Sequence, residues 1–162
     1  MLAMGDALAV VVAELKGFKE RDFAFFHPGG QLGKRLLLRV RDLMRTGKAN
    51  PIVRETALVK EVLVAITRAR AGCAAVVDSR GRLAGIFTDG DLRRHLDSSP
   101  NLLRLQVRRV MTSQPKTIHA DRLAVEALRL LREYHIDELV IVDGNRKPVG
   151  LLDVQDLLKA GF

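Results

Sequence analysis

The chain has 162 residues, of which 48% are apolar and 28% charged, and its net charge is +8. This composition indicates an ordinary folded globular protein and excludes a disordered tail or a collagen-like repeat. A single cysteine, Cys73, and four histidines exclude a disulfide framework and show no metal-ligand spacing. We therefore expect no metal site and a cytoplasmic protein.

The excess of basic residues narrows the class of partner. Cations concentrate between Lys34 and Lys48 and again between Arg93 and Arg109, as in proteins that bind nucleic acid, membrane surfaces or small anions. Aromatic residues make up only 4% of the chain, which leaves few platforms on which bases could stack. No apolar stretch is long enough to span a membrane. Nucleic acid therefore ranks low, and the alternative that most of these cations are ordinary surface and linker charge stays open. We expect neither nucleic acid nor a membrane as partner.

The first predicted element is a helix from Leu2 to Leu15, followed by a stop at Gly17. Its apolar residues lie on nearly every side, which is typical of a helix buried inside a larger domain. Residues 1–39 are too few to build such a domain. We therefore expect this segment to be the C-terminal remnant of an absent domain together with a linker, the alternative being a helix that forms a dimer.

An internal repeat organises the rest of the chain. Gly85 and Asp91 of the first copy recur 65 residues later as Gly150 and Asp156. The repeat predicts two homologous units, residues 40–100 and residues 101–162.

Each unit is predicted to contain, in order, a helix, a strand, a turn, a strand and a second helix. Apolar spacing places the first helices around 58–69 and 123–131, whereas short apolar runs mark strands at 74–77, 83–87, 139–142 and 149–152. Neither unit covers both faces of so small a sheet, so the two should pair. The expected fold is α/β of the α+β type: two pseudo-symmetric units, each with a small sheet and two helices, preceded by a helical remnant.

These units resemble a tandem pair of CBS domains. Within the first, Gly85-Ile-Phe-Thr88-Asp-Gly-Asp91 matches that family's nucleotide-binding pattern of glycine, apolar residue, any residue, serine or threonine, two residues and aspartate. Residues 4–9 and 22–37, the latter including His27-Pro-Gly-Gly, resemble the end of the sugar-isomerase (SIS) domain of D-arabinose 5-phosphate isomerases. The whole chain thus resembles the end of that domain followed by the CBS pair.

The resemblance implies an enzyme that interconverts D-ribulose 5-phosphate and D-arabinose 5-phosphate in the biosynthesis of Kdo, a lipopolysaccharide sugar. His27 matches an active-site histidine of the family, and imidazole titrates in the range needed to move a proton through an enediol. Most of the catalytic domain is absent from this sequence. His27 is therefore expected to be catalytic only in the full-length parent, and this chain to be inactive.

The candidate nucleotide site lies where a strand ends and a helix begins. Thr88 and the helix amides could bind a phosphate, Asp91 could accept hydrogen bonds from ribose, Arg93 could add charge, and early strands at Val53 and Ile118 could frame a base. The alternative is structural, because Thr88-x-x-Asp91 is also a helix-capping arrangement.

In the second unit an acid, Asp153, replaces the threonine and would repel a phosphate, although it suits a helix cap. We therefore expect at most one good phosphate site per pair.

No catalytic cofactor is expected. The regulatory ligand implied by the resemblance is an adenine nucleotide or the pathway's activated sugar, CMP-Kdo. The resemblance also implies a homo-oligomer, with CBS pairs forming dimers and possible tetramers of the parent. Two alternatives remain open: an oligomerisation module that binds no ligand and, less favoured, a basic module that binds nucleic acid.

Overall fold

A computed structural model of the chain describes residues 2–18, 22, 37–97 and 99–162. The described helices are α1 (Leu2–Leu15), α2 (Val40–Leu43), α3 (Val59–Ala69), α4 (Asp89–Leu96), α5 (Ala124–Tyr134) and α6 (Val154–Lys159). The described strands are β1 (Ile52–Arg54), β2 (Cys73–Val77), β3 (Leu83–Thr88), β4 (Thr112–Ser113), β5 (Thr117–His119), β6 (Glu138–Val142) and β7 (Pro148–Asp153). Short 3-10 turns lie at Gly47–Ala49, Leu102–Arg104 and Val107–Arg109.

Two small sheets with the same internal pairing form the two halves of the molecule. The first has the order β1-β2-β3-β4 and the second the order β5-β6-β7. In each, the first strand runs parallel to the second and the remaining neighbours are antiparallel. We call residues 52–96 the first unit and residues 117–159 the second unit. The predicted pair of pseudo-symmetric α+β units is confirmed.

Strand β2 explains why the units pair, because all five of its residues are buried. Successive side chains of a strand point to opposite faces of the sheet. Ala74 and Val76 pack in the core of the first unit beneath α3, whereas Cys73 and Ala75 pack in a separate cluster shared with β6 and β7. A further link is the Leu83 N–H, which donates to the Arg146 carbonyl oxygen at 2.8 Å. The sheets therefore bury each other's second face.

Two segments outside the units cross over. The first arm, residues 38–45, precedes the first unit but packs on the second. There Val40, fully buried, joins the core of Ile118 and Leu139. The second arm, residues 105–113, precedes the second unit but packs on the first, where Val107 is equally buried. The predicted domain boundaries at residues 40 and 101 stay a prediction. In the structure, the core of each unit is completed by the arm that precedes the other unit.

The glycine that opens the repeated motif is required by a close approach of an arm. A Cβ atom on Gly85 would lie 2.5 Å from Met111 Sδ and 2.8 Å from the Thr112 carbonyl oxygen. At the corresponding Gly150 it would lie 2.7 Å from Met44 Sδ. In both units, therefore, the motif glycine leaves space for the methionine of an arm.

Helix α1 forms as predicted and Gly17, with φ of +61°, ends it. Its large apolar side chains are exposed, Leu15 by 82% and Met4 by 70%. Among the described residues, no helix is long and apolar enough to cross a membrane. The assignment of residues 1–39 to a remnant of another domain stays a prediction.

Candidate nucleotide-binding cleft

A cleft of about 570 Å³ opens between the two units. One wall is the junction of β3 and α4 in the first unit, residues 88–94. The opposite wall is the junction of α5 and β6 in the second, residues 134–138, with residues 112–116 closing one side. Ile86, Pro115 and Ile136 contribute apolar surface. The cleft thus combines an apolar surface with the N-terminus of a helix, where unpaired amides favour an anion.

Thr88 and Asp91 cap helix α4. The Thr88 backbone N–H and hydroxyl both donate to Asp91 Oδ2, at 2.8 and 2.9 Å, and the Asp91 N–H donates to Thr88 Oγ1 at 3.2 Å. The other carboxylate oxygen accepts from Thr112 Oγ1 at 2.8 Å and from the Arg94 guanidinium. Asp91 is only 2% exposed. The capping arrangement considered in the sequence is therefore present.

The predicted site residues occupy different places. Thr88 and Arg93 line the cleft, and Asp91 lies beneath it behind Thr88. Val53 in β1 packs against the core of the first unit, and Ile118 in β5 is buried in that of the second. The structure thus brings Thr88, Asp91 and Arg93 together and leaves the other two outside the cleft lining. Their roles in ligand binding stay predictions, and His27 lies outside the described residues.

Positive charge gathers along the cleft. Arg93 and Arg94 are exposed on α4, and Lys116 Nζ lies 3.8 Å from the centroid of the Tyr134 ring. Arg94 is paired with Asp91, whereas Arg93 has no ion-pair partner among the described residues. The charge of Arg93 is therefore available to an incoming anion.

Three acids, Asp89, Asp137 and Glu138, balance these cations. Burial, together with the nearby carboxylates of Asp153, Asp137 and Asp89, raises the pKa of Glu138 from its ordinary 4.5 to about 7. The charge of this wall therefore changes near neutral pH. Carboxylates accept hydrogen bonds, so these acids offer ribose hydroxyls the acceptors that the buried Asp91 does not.

The second-unit wall was not predicted. Residues 134–138 contain the end of α5, where His135 adopts a left-handed conformation with φ of +52°, and the start of β6. The equivalent turn in the first unit has Arg70 with φ of +51°. The left-handed conformation that the two turns share follows from the repeat. No local sequence pattern, however, indicates that the turn at His135 faces Thr88 of the other unit.

In the second unit the motif ends in two acids. Asp153 caps α6, with Oδ1 accepting from the Gln155 N–H at 2.8 Å. The predicted capping role of Asp153 is confirmed.

The cleft and the paired sheets define a class of protein. The CBS domain family matches residues 40–98 and 107–162, and the chain belongs to that family. Arabinose 5-phosphate isomerase KdsD of Pseudomonas aeruginosa is 47% identical over 160 residues, which are 99% of this chain and 49% of the relative. The enzyme of the same name from Escherichia coli K12 is 44% identical over 99% of this chain and 48% of the relative.

The chain therefore spans about half the length of the curated relatives it matches. The similarity to arabinose 5-phosphate isomerases inferred from the sequence is confirmed. The activity of these relatives belongs to proteins about twice as long as this chain.

Solved structures share the fold. A conserved protein from Pyrococcus horikoshii is 25% identical with a TM-score of 0.66. The match covers 76% of this chain and 91% of that one. CBS domain protein PAE2072 from Pyrobaculum aerophilum, complexed with AMP, is 24% identical with a TM-score of 0.66. The match covers 74% of this chain and 90% of that one. The cytosolic domain of the Mg²⁺ channel MgtE, complexed with ATP, is 30% identical with a TM-score of 0.59. The match covers 72% of this chain and 46% of that one.

Proposed function

We propose that the chain is the regulatory, nucleotide-binding CBS pair of an arabinose 5-phosphate isomerase. The observation that carries this proposal is the cleft between the units, where Thr88, the start of α4 and Arg93 form one wall and Lys116 lies on the adjoining side. The relative with 30% identity to this chain was solved with ATP, and a second structure of the same fold with AMP. The proposed ligand is accordingly an anionic nucleotide.

The cleft offers a distinct group to each part of a nucleotide. The first amides of α4 and the Arg93 guanidinium suit a phosphate, since charge-assisted hydrogen bonds are the stronger ones. Asp137 and Glu138 suit ribose hydroxyls, and Ile86 with Ile136 suits the face of a base. The Thr88 hydroxyl already donates to Asp91, so on binding a phosphate it would have to redirect that hydrogen bond.

Regulation would follow from the position of the ligand between the two units. A nucleotide that touches residues 88–93 and residues 134–138 at once stabilises one relative orientation of the units over others. The orientation would be passed to the rest of the parent enzyme. That parent would interconvert D-ribulose 5-phosphate and D-arabinose 5-phosphate in the cytoplasm, with His27 at its active site, whereas the present chain would be inactive.

Binding is tested by thermal unfolding with AMP, ATP, CMP and CMP-Kdo, because a ligand that binds only the folded state raises the melting temperature. We expect a rise with at least one nucleotide, and the comparison of CMP-Kdo with the adenine nucleotides identifies the class. Arg93→Ala should weaken binding by roughly tenfold, as loss of a charge-assisted hydrogen bond predicts. Arg129→Ala, an equal loss of charge on the exposed surface of α5, should leave it unchanged. No rise with any nucleotide would refute the proposal.

A second candidate is an assembly module that binds no ligand. The exposed apolar residues of α1 favour it, because such a helix needs a partner surface. We infer that α1 packs against the remainder of the parent and that the parent is a homo-oligomer. Sedimentation of the chain without nucleotide tests this: a monomer at high concentration would argue against self-assembly through this chain.

A further inference from the structure

The pseudo-symmetry of the pair generates a second cleft position, related to the first by the repeat. Its walls are the junction of β7 and α6, which carries Asp153 and Asp156, and the turn after α3, where Arg70 takes the place that His135 has in the first cleft. We call this position the mirror cleft. The following inference rests on the proposed function of the first cleft.

One side chain, Arg45 of the first arm, spans the mirror cleft. Its Nε and one terminal nitrogen donate to the two carboxylate oxygens of Asp156, at 2.8 and 3.0 Å, and the same nitrogen lies 3.5 Å from Asp153. The other terminal nitrogen donates to the Arg70 carbonyl oxygen at 3.2 Å. The guanidinium therefore joins both walls.

This contact is largely buried and its backbone is held in place. The side chains of Arg45, Asp153 and Asp156 are exposed by only 19%, 17% and 15%. The backbone of Arg45 is held by two hydrogen bonds with Leu151, at 2.7 and 3.0 Å. A two-pronged guanidinium–carboxylate pair that is largely buried is among the stronger ion pairs, because its geometry fits and water screens it little.

The first cleft has a short residue at the equivalent place. Thr112 pairs with Ile86 as Arg45 pairs with Leu151, and its hydroxyl reaches Asp91 at 2.8 Å on its own wall. A threonine side chain is too short to cross to the opposite wall. The first cleft is thus left open where the mirror cleft is bridged.

We infer that Arg45 is the built-in occupant of the mirror cleft and restricts the chain to one nucleotide. The guanidinium stands between the two walls on the Asp156 carboxylate and the Arg70 carbonyl oxygen, so a bound nucleotide would have to displace it. Asp153 adds repulsion toward a phosphate at the place where the first unit has Thr88. A site that is closed most of the time binds with an affinity reduced by its open fraction.

The test compares the two clefts within one chain by NMR, with AMP and CMP as probes and the amides of Gly90 and Gln155 as reporters. In the natural chain we expect the Gly90 resonance to move and the Gln155 resonance to stay. The double variant Arg45→Thr, Asp153→Thr gives the mirror cleft the two threonines that the first cleft has at positions 112 and 88. Gln155 should then respond with an affinity on the order of tenfold or more above that of the natural chain. Arg41→Thr removes an exposed arginine of the same arm, whose partner is Asp121, and should change neither response.

Two results would overturn the inference: a saturable response of Gln155 in the natural chain, or no response of Gln155 in a double variant whose spectrum shows it folded. Failure of the proposed function looks different, because Gly90 would then not respond in the natural chain. A response of Gln155 in the double variant would in that case still show that Arg45 and Asp153 together close the mirror cleft.

Discussion

Replacing Glu138 by glutamine should stabilise the protein above neutral pH. The carboxyl begins β6 among the acids Asp89, Asp137 and Asp153, and its pKa is raised from 4.5 to about 7. The folded state therefore holds a proton that the unfolded state has already lost, so stability falls as pH rises from 4.5 to 7 and is level above that. The full effect is at most about 3 kcal/mol. Partial exposure of the side chain reduces it to about 1–2 kcal/mol.

Glutamine keeps the shape of the side chain and cannot ionise. At pH 8 we expect Glu138→Gln to raise the melting temperature by about 3–6 °C, since about 1 kcal/mol corresponds to about 2–4 °C for a chain of this size. At pH 4.5 the variant and the natural chain should melt together. Glu133→Gln makes the same chemical change at an exposed position of α5 and serves as the control. A stabilisation that is equal at both pH values would refute the electrostatic reasoning.

Two further substitutions and one labelling experiment test the packing of the fold. Gly85→Ala places a methyl group against Met111 and the arm backbone and should cost about 1–3 kcal/mol in urea unfolding, whereas Gly144→Ala, which meets nothing within 4 Å, should be close to neutral. Asp91→Ala removes the buried acceptor of the capping network and should cost about 2–4 kcal/mol, measured the same way; a change below about 0.5 kcal/mol would contradict the role assigned to that network. Burial raises the pKa of the Cys73 thiol, so the native protein should not react with a disulfide reagent at pH 8, and one thiol should react after unfolding. Rapid labelling of the native chain would show that β2 is not closed as described.

The strands are predictable because their signals are local, and the repeat because the sequence resembles itself at a fixed offset of 65 residues. Strand β2 is a short apolar run bounded by turn residues, a pattern that indicates a strand buried on both faces. The arms were not predictable in the same way. Val40 and Val107 are ordinary apolar residues in the sequence, and nothing near them indicates that their cores belong to the other unit.

The candidate site shows the same division. The spacing of Thr88 and Asp91 predicts both a cap and a phosphate site, and only the reciprocal hydrogen bonds between these two residues show the cap to be formed. The opposite wall at residues 134–138 depends on how two units meet, which sequence periodicity does not encode. In the sequence Arg45 is likewise one basic residue among many, and only its contact with Asp156 in the structure distinguishes it.

The crossed arms have a consequence for the origin of the chain. A lone unit with the arm that precedes it, such as residues 38–96, would leave that arm without the core on which it now packs, and would have a gap in its own core where residues 105–113 now pack. Two copies that exchanged arms would fill both gaps, which is the arrangement of a domain-swapped homodimer. The chain has the form of such a homodimer fused end to end, so duplication of a gene for one unit would have preserved every core contact while making the partner permanent.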